Sequence, residues 1–151
     1  MQSRSHGFTL IELMVVVALA AILLGIGVPS FKSFVAGQRV KAAAGEYAMA
    51  LVFARAEAIK RNADVAITGV TSGAAGWKDG WTVAAGGVQL SVQSAYSGLT
   101  FAGPTAAITY KGTGRLSAPV AAMAITAQDG GARCVQIDLS GMPKTTKAAC
   151  S

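Results

Sequence analysis

The sequence has few of the side chains that catalysis and metal binding require. Its 151 residues include one histidine, His6, and two cysteines, and only 13% are charged. Zinc and transition-metal sites need several Cys, His or carboxylate ligands, and Asp79, Asp129 and Asp138 show no paired spacing. The glycine patterns of phosphate-binding and dinucleotide-binding loops are also missing. We therefore expect neither an enzymatic activity nor a cofactor.

Charge is missing from one long segment near the N-terminus. From Phe8 to Phe31 the only ionisable side chain is Glu12, and residues 13–28 contain no polar side chain. As a helix, residues 8–31 would be ~36 Å long, enough to cross a bilayer core of ~30 Å. The run is longer than the apolar core of a cleaved secretory signal, and no small-x-small site followed by a polar turn precedes Pro29. Composition alone therefore predicts one uncleaved membrane anchor.

The stretch "GFTLIELMVVVALAAILLGIGVPSF" resembles the class III signal of type IV pilins and pseudopilins. That family has a short leader ending in Gly, then Phe-Thr-Leu-Ile-Glu-Leu and an apolar helix. By position, the resemblance implies a leader at residues 1–7, cleavage between Gly7 and Phe8 by a prepilin peptidase, and N-methylation of Phe8. Removal of the leader would also remove His6, so the mature chain would have no Ser-His or Cys-His pair.

Glu12 lies four residues after Phe8, on the same face of a helix. A carboxylate in apolar surroundings is costly unless it has a partner, and the α-amino group of a cleaved Phe8 would supply one. The resemblance assigns Glu12 to filament assembly, in which it meets the terminus of a neighbouring subunit. The alternative is a carboxylate that only reaches toward the lipid headgroups.

The helical pattern continues beyond the membrane segment. Pro29 removes a backbone hydrogen bond and two nearby glycines weaken the same region, so we expect a kink or a melted stretch at residues 25–29. Residues 32–62 form an amphipathic half that ends at Arg61-Asn62. Its apolar residues recur every three or four positions and predict a packing stripe: Val40, Ala44, Tyr47, Leu51, Ala54 and Ala58.

Residues 63–151 have the twofold period of β-strands. The segments "DVAIT", "WTVAA", "VQLSVQ", "AITYKG", "AAMAITA" and "CVQIDLS" predict short strands, and "AGGV" and "DGGA" predict hairpins. The fold class is α+β: a long N-terminal helix packed on two antiparallel sheets or one bent sheet. The segments "ALVFARAEAIKRNADVAI", "GWKDGW" and "ITYKGTGRLS" resemble the GspH/FimT group of minor pilins and pseudopilins. Trp77 and Trp81 are expected in the core or packed on a turn; the alternative is a platform for a ligand.

The two cysteines, Cys134 and Cys150, both lie near the C-terminus. If the head is translocated across the membrane, we expect them to form one disulfide. The alternative is a pair of free thiols in a reducing compartment.

The C-terminal tail, "SGMPKTTKAACS", is basic, within a chain of net charge +6. DNA-uptake members of the group resemble Gly-Arg-x-Arg here, whereas this chain has Gly141, Met142, Pro143 and Lys144. Lysine neutralises a phosphate but lacks the planar fork of arginine. The alternative is a solvated, disulfide-linked terminal hairpin. The candidate DNA-binding residues are Lys144, Lys147, Arg133, Lys111 and Arg115.

Three functions follow from the resemblance. The leading one is a minor type IV pilin that initiates or caps pilus assembly, with other pilins, a prepilin peptidase and the inner membrane as partners. The second is a minor pilin that binds DNA for uptake in natural transformation. The third is a minor pseudopilin of a type II secretion system. In each, the chain would cross the bacterial inner membrane once, with its head in the periplasm, before joining a pilus or pseudopilus.

Overall fold

The structure, a computed structural model, describes residues 8–150. Helix α1 comprises Leu10–Arg61, and a single 3-10 turn, Gly76–Asp79, interrupts the strands that follow within the described residues. These strands are β1 (Val65–Gly69), β2 (Trp81–Ala85), β3 (Val88–Gln93), β4 (Leu99–Ala102), β5 (Ile108–Tyr110), β6 (Met123–Ala127), β7 (Ala132–Ile137) and β8 (Pro143–Thr146).

The strands form two antiparallel four-stranded sheets, which confirms the predicted α+β class. One sheet has the order β3-β2-β1-β5 and the other β4-β6-β7-β8. The hairpins β2–β3 and β6–β7 turn at the predicted double glycines, where Gly86, Gly87, Gly130 and Gly131 all have positive φ. The predictions missed β4 and β8. The first has four residues, and the second begins with a proline and is otherwise polar.

The second half of α1 packs on both sheets through small and aromatic side chains. All six residues of the predicted stripe are buried, together with Ala43. Alanines along this face let the strands approach closely, while the larger Tyr47 and Leu51 side chains are buried in the core that the helix shares with the sheets. The helix ends as predicted, because Asn62 adopts a left-handed conformation with φ 49° and its N–H donates to Ala58 O and Ile59 O.

The expected melted stretch at residues 25–29 is not present. Helix α1 is continuous from Leu10 to Arg61, with Pro29 inside it. A proline removes only its own N–H from the ladder and crowds the carbonyl four residues earlier, here that of Gly25. Backbone hydrogen bonds on both sides remain, and the preceding turns at residues 18–24 are rich in Ala and Leu, which have high helix propensity. A kink at Pro29 stays a prediction.

Candidate assembly surface

The first half of α1 has no packing partner within the chain. Its apolar side chains project into solvent on every side; Leu10, Leu23 and Phe31, for example, are 76%, 71% and 67% exposed. The most apolar 18-residue window of α1 has a mean hydropathy of 2.7, and none of it is buried. Helix α1 is long and apolar enough to cross a membrane. Its first half is therefore a surface that lipid or another protein must cover.

A capping box starts the helix. The Thr9 hydroxyl accepts from the Glu12 backbone N–H at 3.3 Å, and the Thr9 N–H donates to Glu12 Oε2 at 3.2 Å. Both interactions satisfy groups that the helix terminus would leave unpaired. The carboxylate also lies where the helix dipole favours a negative charge. Glu12 therefore already has a local structural role at the start of the apolar half.

Phe8 lies immediately before the capping residue and is 79% exposed. Its backbone nitrogen is therefore close to the turn in which the Glu12 carboxylate folds back. Gly7, the predicted last residue of the leader, lies outside the described residues.

The five candidate DNA-binding cations do not form one patch. Arg133 shares a face of β7 with buried Val135, is half-buried and donates to Ala132 O at 3.0 Å. Lys144 pairs with Gln136 in the ladder and therefore lies on the opposite face. In the other sheet, beyond β5, Lys111 Nζ is 2.7 Å from Asp64 Oδ2.

Arg55 on α1 is a residue that no sequence motif indicates as part of a site. Its Nε donates to Gly114 O at 3.0 Å, and its Nη1 contacts the sulfur of Met142. Tyr110 Oη donates to Gly141 O at 3.1 Å beside it. The Arg55 contacts join the helix to the loop after β5 across 59 residues and to the tail across 87 residues, so no local pattern could have indicated them.

Asp138 lies in the loop between β7 and β8, near Arg55 and Arg115, and its carboxyl stays ionised. Hydrogen bonds from the Ser140 hydroxyl and N–H hold the pKa of its carboxyl below the usual value, assisted by the charges of Arg115 and Arg55. Arg115 therefore has a carboxylate nearby, which reduces the positive potential that it offers to an anion.

The structure confirms the disulfide between Cys134 and Cys150, with Cα atoms 5.0 Å apart. The bond joins the last residues of the tail to β7. Lys147, which follows β8, is exposed on this segment.

The two tryptophans are part of the core, as predicted. Trp77 Nε1 donates to Pro104 O at 2.7 Å. The Tyr47 ring packs edge-on against Trp77 and Trp81, with centroids 5.7 and 5.5 Å away. Both indoles are 2% exposed, so neither is available to stack on a ligand. Among residues 8–150, no cluster of His, Cys, Asp and Glu could hold a metal ion.

Comparisons with known proteins agree with this architecture. The family described as type II transport protein GspH matches residues 43–141, and the prokaryotic N-terminal methylation motif matches residues 2–28. Two crystal structures of the type IV minor pilin FimU from Pseudomonas aeruginosa strain PAO1 share the fold, each at 22% identity. Their TM-scores are 0.60 and 0.62; the matches cover 70% and 72% of this chain and 91% and 89% of FimU. No curated protein matches.

The family match covers the second half of α1 and most of the two sheets, and the methylation motif covers the exposed apolar half with Glu12. The chain therefore belongs to the GspH family and is a membrane-anchored minor pilin or pseudopilin.

Proposed function

We propose that the chain is a minor type IV pilin that initiates or caps pilus assembly. It would enter the inner membrane through residues 8–31, with its head in the periplasm, and leave the membrane when a filament forms. The observation that carries the proposal is the fully exposed apolar half of α1 with a single carboxylate at its first turn. The capping box could also form with a glutamine at this position, so the charge itself supports a role in assembly.

Glu12 is proposed to pair with the α-amino group that cleavage after Gly7 would create on Phe8. The capping box supports this role, because the carboxylate already folds back to the Thr9 N–H, one residue from Phe8. An ion pair at this point lowers the cost of placing both charges in lipid. In a filament, the same carboxylate would accept the terminus of a neighbouring subunit instead.

The experiment compares Glu12→Gln with Glu57→Gln in the organism that encodes the chain. Glutamine keeps the size and hydrogen-bonding capacity of Glu12 but removes the charge, so leader removal should proceed while incorporation into filaments falls at least tenfold. Glu57 is on the same helix beside the head, and its substitution should change neither. Normal incorporation of the Glu12 variant would contradict the proposed pairing.

A pseudopilin of a type II secretion system would have the same helix and head, and the family description favours that alternative. Deletion of the gene distinguishes the two, provided that piliation and protein secretion are scored separately. Loss of pili with normal secretion supports the proposal, and the opposite result assigns the chain to secretion.

We propose DNA binding through Lys144 and Lys147 as a second function. Both lysines are exposed on the disulfide-linked tail, which supports this proposal. Replacement of both lysines by alanine should weaken retardation of duplex DNA by the full-length protein and reduce its salt dependence. Replacement of the ion-paired Lys111 serves as the control. No retardation by micromolar wild-type protein at low salt would contradict this proposal.

A further inference from the structure

A groove of about 400 Å³ lies between the head and α1, directly after the apolar half of the helix. One wall is the helix face that carries Phe31, Lys32, Val35 and Arg39. The opposite wall is formed by the start of β4 and by the β6–β7 turn with Asp129. Small-molecule sites have volumes of ~300–1,000 Å³, so the groove is large enough for a ligand. We call it the basal groove.

The packing of the β6–β7 turn on the helix fixes the shape of the basal groove. Gly131 in this turn has a φ of 92°, and a Cβ added there would lie 3.0 Å from Gly37 Cα. Because neither residue has a side chain, the turn approaches the helix backbone closely. Asp129, two residues before Gly131, is thereby held opposite the helix wall.

The basal groove has cations on one wall and a carboxylate on the other. Lys32 and Arg39 are seven residues apart, so they lie on the same side of α1, two turns from each other. Both are exposed, as is Asp129, and none of the three forms a salt bridge within the described part of the chain. The next charged residue on this side of the helix, Glu46, lies ~10 Å farther along and accepts a hydrogen bond from the Tyr96 hydroxyl. A ligand in the groove therefore meets positive charge on the helix and negative charge on the head.

The basal groove lies at the level of the lipid headgroups when residues 8–31 span a membrane. The headgroup region is ~5–7 Å thick on each side of the hydrocarbon core. Lys32 follows Phe31 directly, and Arg39 is ~12 Å beyond Phe31 along the helix axis. Because side chains on a helix tilt toward its N-terminus, Arg39 extends back toward the membrane. Phe31 and Val35 make the end of the groove that is nearer the membrane apolar.

We propose that the basal groove binds the headgroup of phosphatidylethanolamine, a phospholipid that carries a phosphate and a primary ammonium group. The phosphate would lie between Lys32 and Arg39, and the ammonium group would pair with Asp129. A free phosphate would match only the two cations and has no acyl chain for the apolar end. The bound lipid would hold the head against the bilayer until the subunit leaves the membrane. The inference rests on the membrane insertion in the proposed function, and it applies equally to a pilin and to a pseudopilin.

Native mass spectrometry of the full-length protein released from nanodiscs tests the ligand. The nanodiscs contain equal amounts of phosphatidylethanolamine, phosphatidylcholine and phosphatidylglycerol. Wild-type protein should retain phosphatidylethanolamine at least threefold over each of the others. The reason is that choline has no N–H to donate to Asp129 and the glycerol headgroup has no cation. Equal retention of the three lipids would overturn the proposal.

Arg39→Gln and Lys41→Gln form a matched pair that tests the phosphate contact. Each substitution removes one cation, but Lys41 is exposed on nearly the opposite side of the helix from Arg39. Arg39→Gln should lower the retention of phosphatidylethanolamine at least threefold, because the phosphate loses a charge-assisted hydrogen bond. Lys41→Gln should behave like the wild type. An equal loss in both variants would indicate an effect of net charge alone and would overturn the proposal.

Asp129→Asn tests the contact with the ammonium group. The preference for phosphatidylethanolamine over phosphatidylcholine should disappear, because the ammonium group loses its anionic partner. The total phospholipid retained should stay within about twofold of the wild type, since the phosphate contacts remain. An unchanged preference for phosphatidylethanolamine would overturn the assignment of Asp129 and of this headgroup.

Membrane insertion is scored separately, by flotation of the full-length protein with liposomes after an alkaline carbonate wash. If the wild type inserts but shows no lipid preference, the membrane entry in the proposed function is supported and the basal-groove inference is wrong. If the wild type does not insert, the proposed function is contradicted, and the inference that rests on it fails as well.

Discussion

Both halves of α1 carry many apolar side chains, but these have opposite surroundings. Leu23, in the first half, is 71% exposed, whereas Leu51, in the second, is completely buried between the sheets. The same residue type therefore stabilises the head in one half and, in the other, provides a surface for lipid or another subunit. Hydrophobicity alone does not distinguish these roles, because burial also requires a partner within the chain.

The sharpest test of this difference is a pair of leucine truncations. Leu51→Ala should lower the free energy of unfolding of the head by ~2–5 kcal/mol, because it leaves a cavity in a packed core. Leu23→Ala should change it by less than ~0.5 kcal/mol. Urea unfolding of the full-length protein in detergent, followed by tryptophan fluorescence, measures both. Similar losses from the two variants would show that the apolar half contributes to the stability of the head.

The disulfide should have the next largest effect. Replacing both Cys134 and Cys150 by alanine should lower the free energy of unfolding by ~2–4 kcal/mol, because the open tail gains conformational freedom in the unfolded chain. Membrane insertion should be unchanged, since the bond lies far along the chain from the apolar half. The same unfolding experiment on reduced wild-type protein should give a similar shift. Unchanged stability after reduction would count against the prediction.

Alkaline pH should destabilise the head through its buried tyrosines. Burial raises the pKa of Tyr47 and Tyr96 from the usual 10.0, with the Glu46 carboxylate adding to the effect on Tyr96, and burial raises the pKa of Tyr110 to about 12. The folded head thus retains protons that the unfolded chain releases, so stability is fully present below pH ~10 and falls as the pH rises above it. Unfolding measured between pH 8 and 12 checks this trend, which should be weaker in Tyr96→Phe. A flat profile would contradict it.

The smallest predicted effects come from two buried hydroxyls. Among the described residues, the Tyr47 hydroxyl is the buried side-chain group without a hydrogen-bond partner, so Tyr47→Phe should leave stability unchanged or raise it by ~1 kcal/mol. Tyr110→Phe should lower it by ~1 kcal/mol, because its hydroxyl donates to Gly141 O. Thermal unfolding of the two variants side by side compares them. A loss of stability in Tyr47→Phe would indicate a partner for that hydroxyl.

Local patterns predicted most of the secondary structure. The spacing of Val40, Tyr47 and Leu51 predicted the buried face of the helix, and the double glycines predicted two hairpins. Strand β8 was missed because Pro143 and two polar threonines look like a loop; pairing with β7 holds them as a strand. The melted stretch near Pro29 was wrong because one lost hydrogen bond does not outweigh the helix on either side.

The candidate sites also divide into those that the local sequence indicates and those that depend on contacts between distant segments. Phe8, Glu12 and the capping box depend on residues within one turn, so the sequence could indicate them. The contact of Arg55 with the tail and the separation of Arg133 from Lys144 depend on the register of β7 and β8 and on the position of the helix. Such relations join residues far apart in sequence, and charge composition carries no information about them.

The sequence by itself determined that this chain has an apolar, pilin-like N-terminus, a long helix and a β-rich head, because each depends on short-range periodicity and near-contiguous motifs. Only the tertiary structure decided that the apolar residues on the other side of the helix stay exposed and that Arg55 contacts the tail. The reason is that burial is a relation between distant segments. Met49 is as apolar as the core residue Val40, and it stays exposed because the two sheets pack against the other side of the helix.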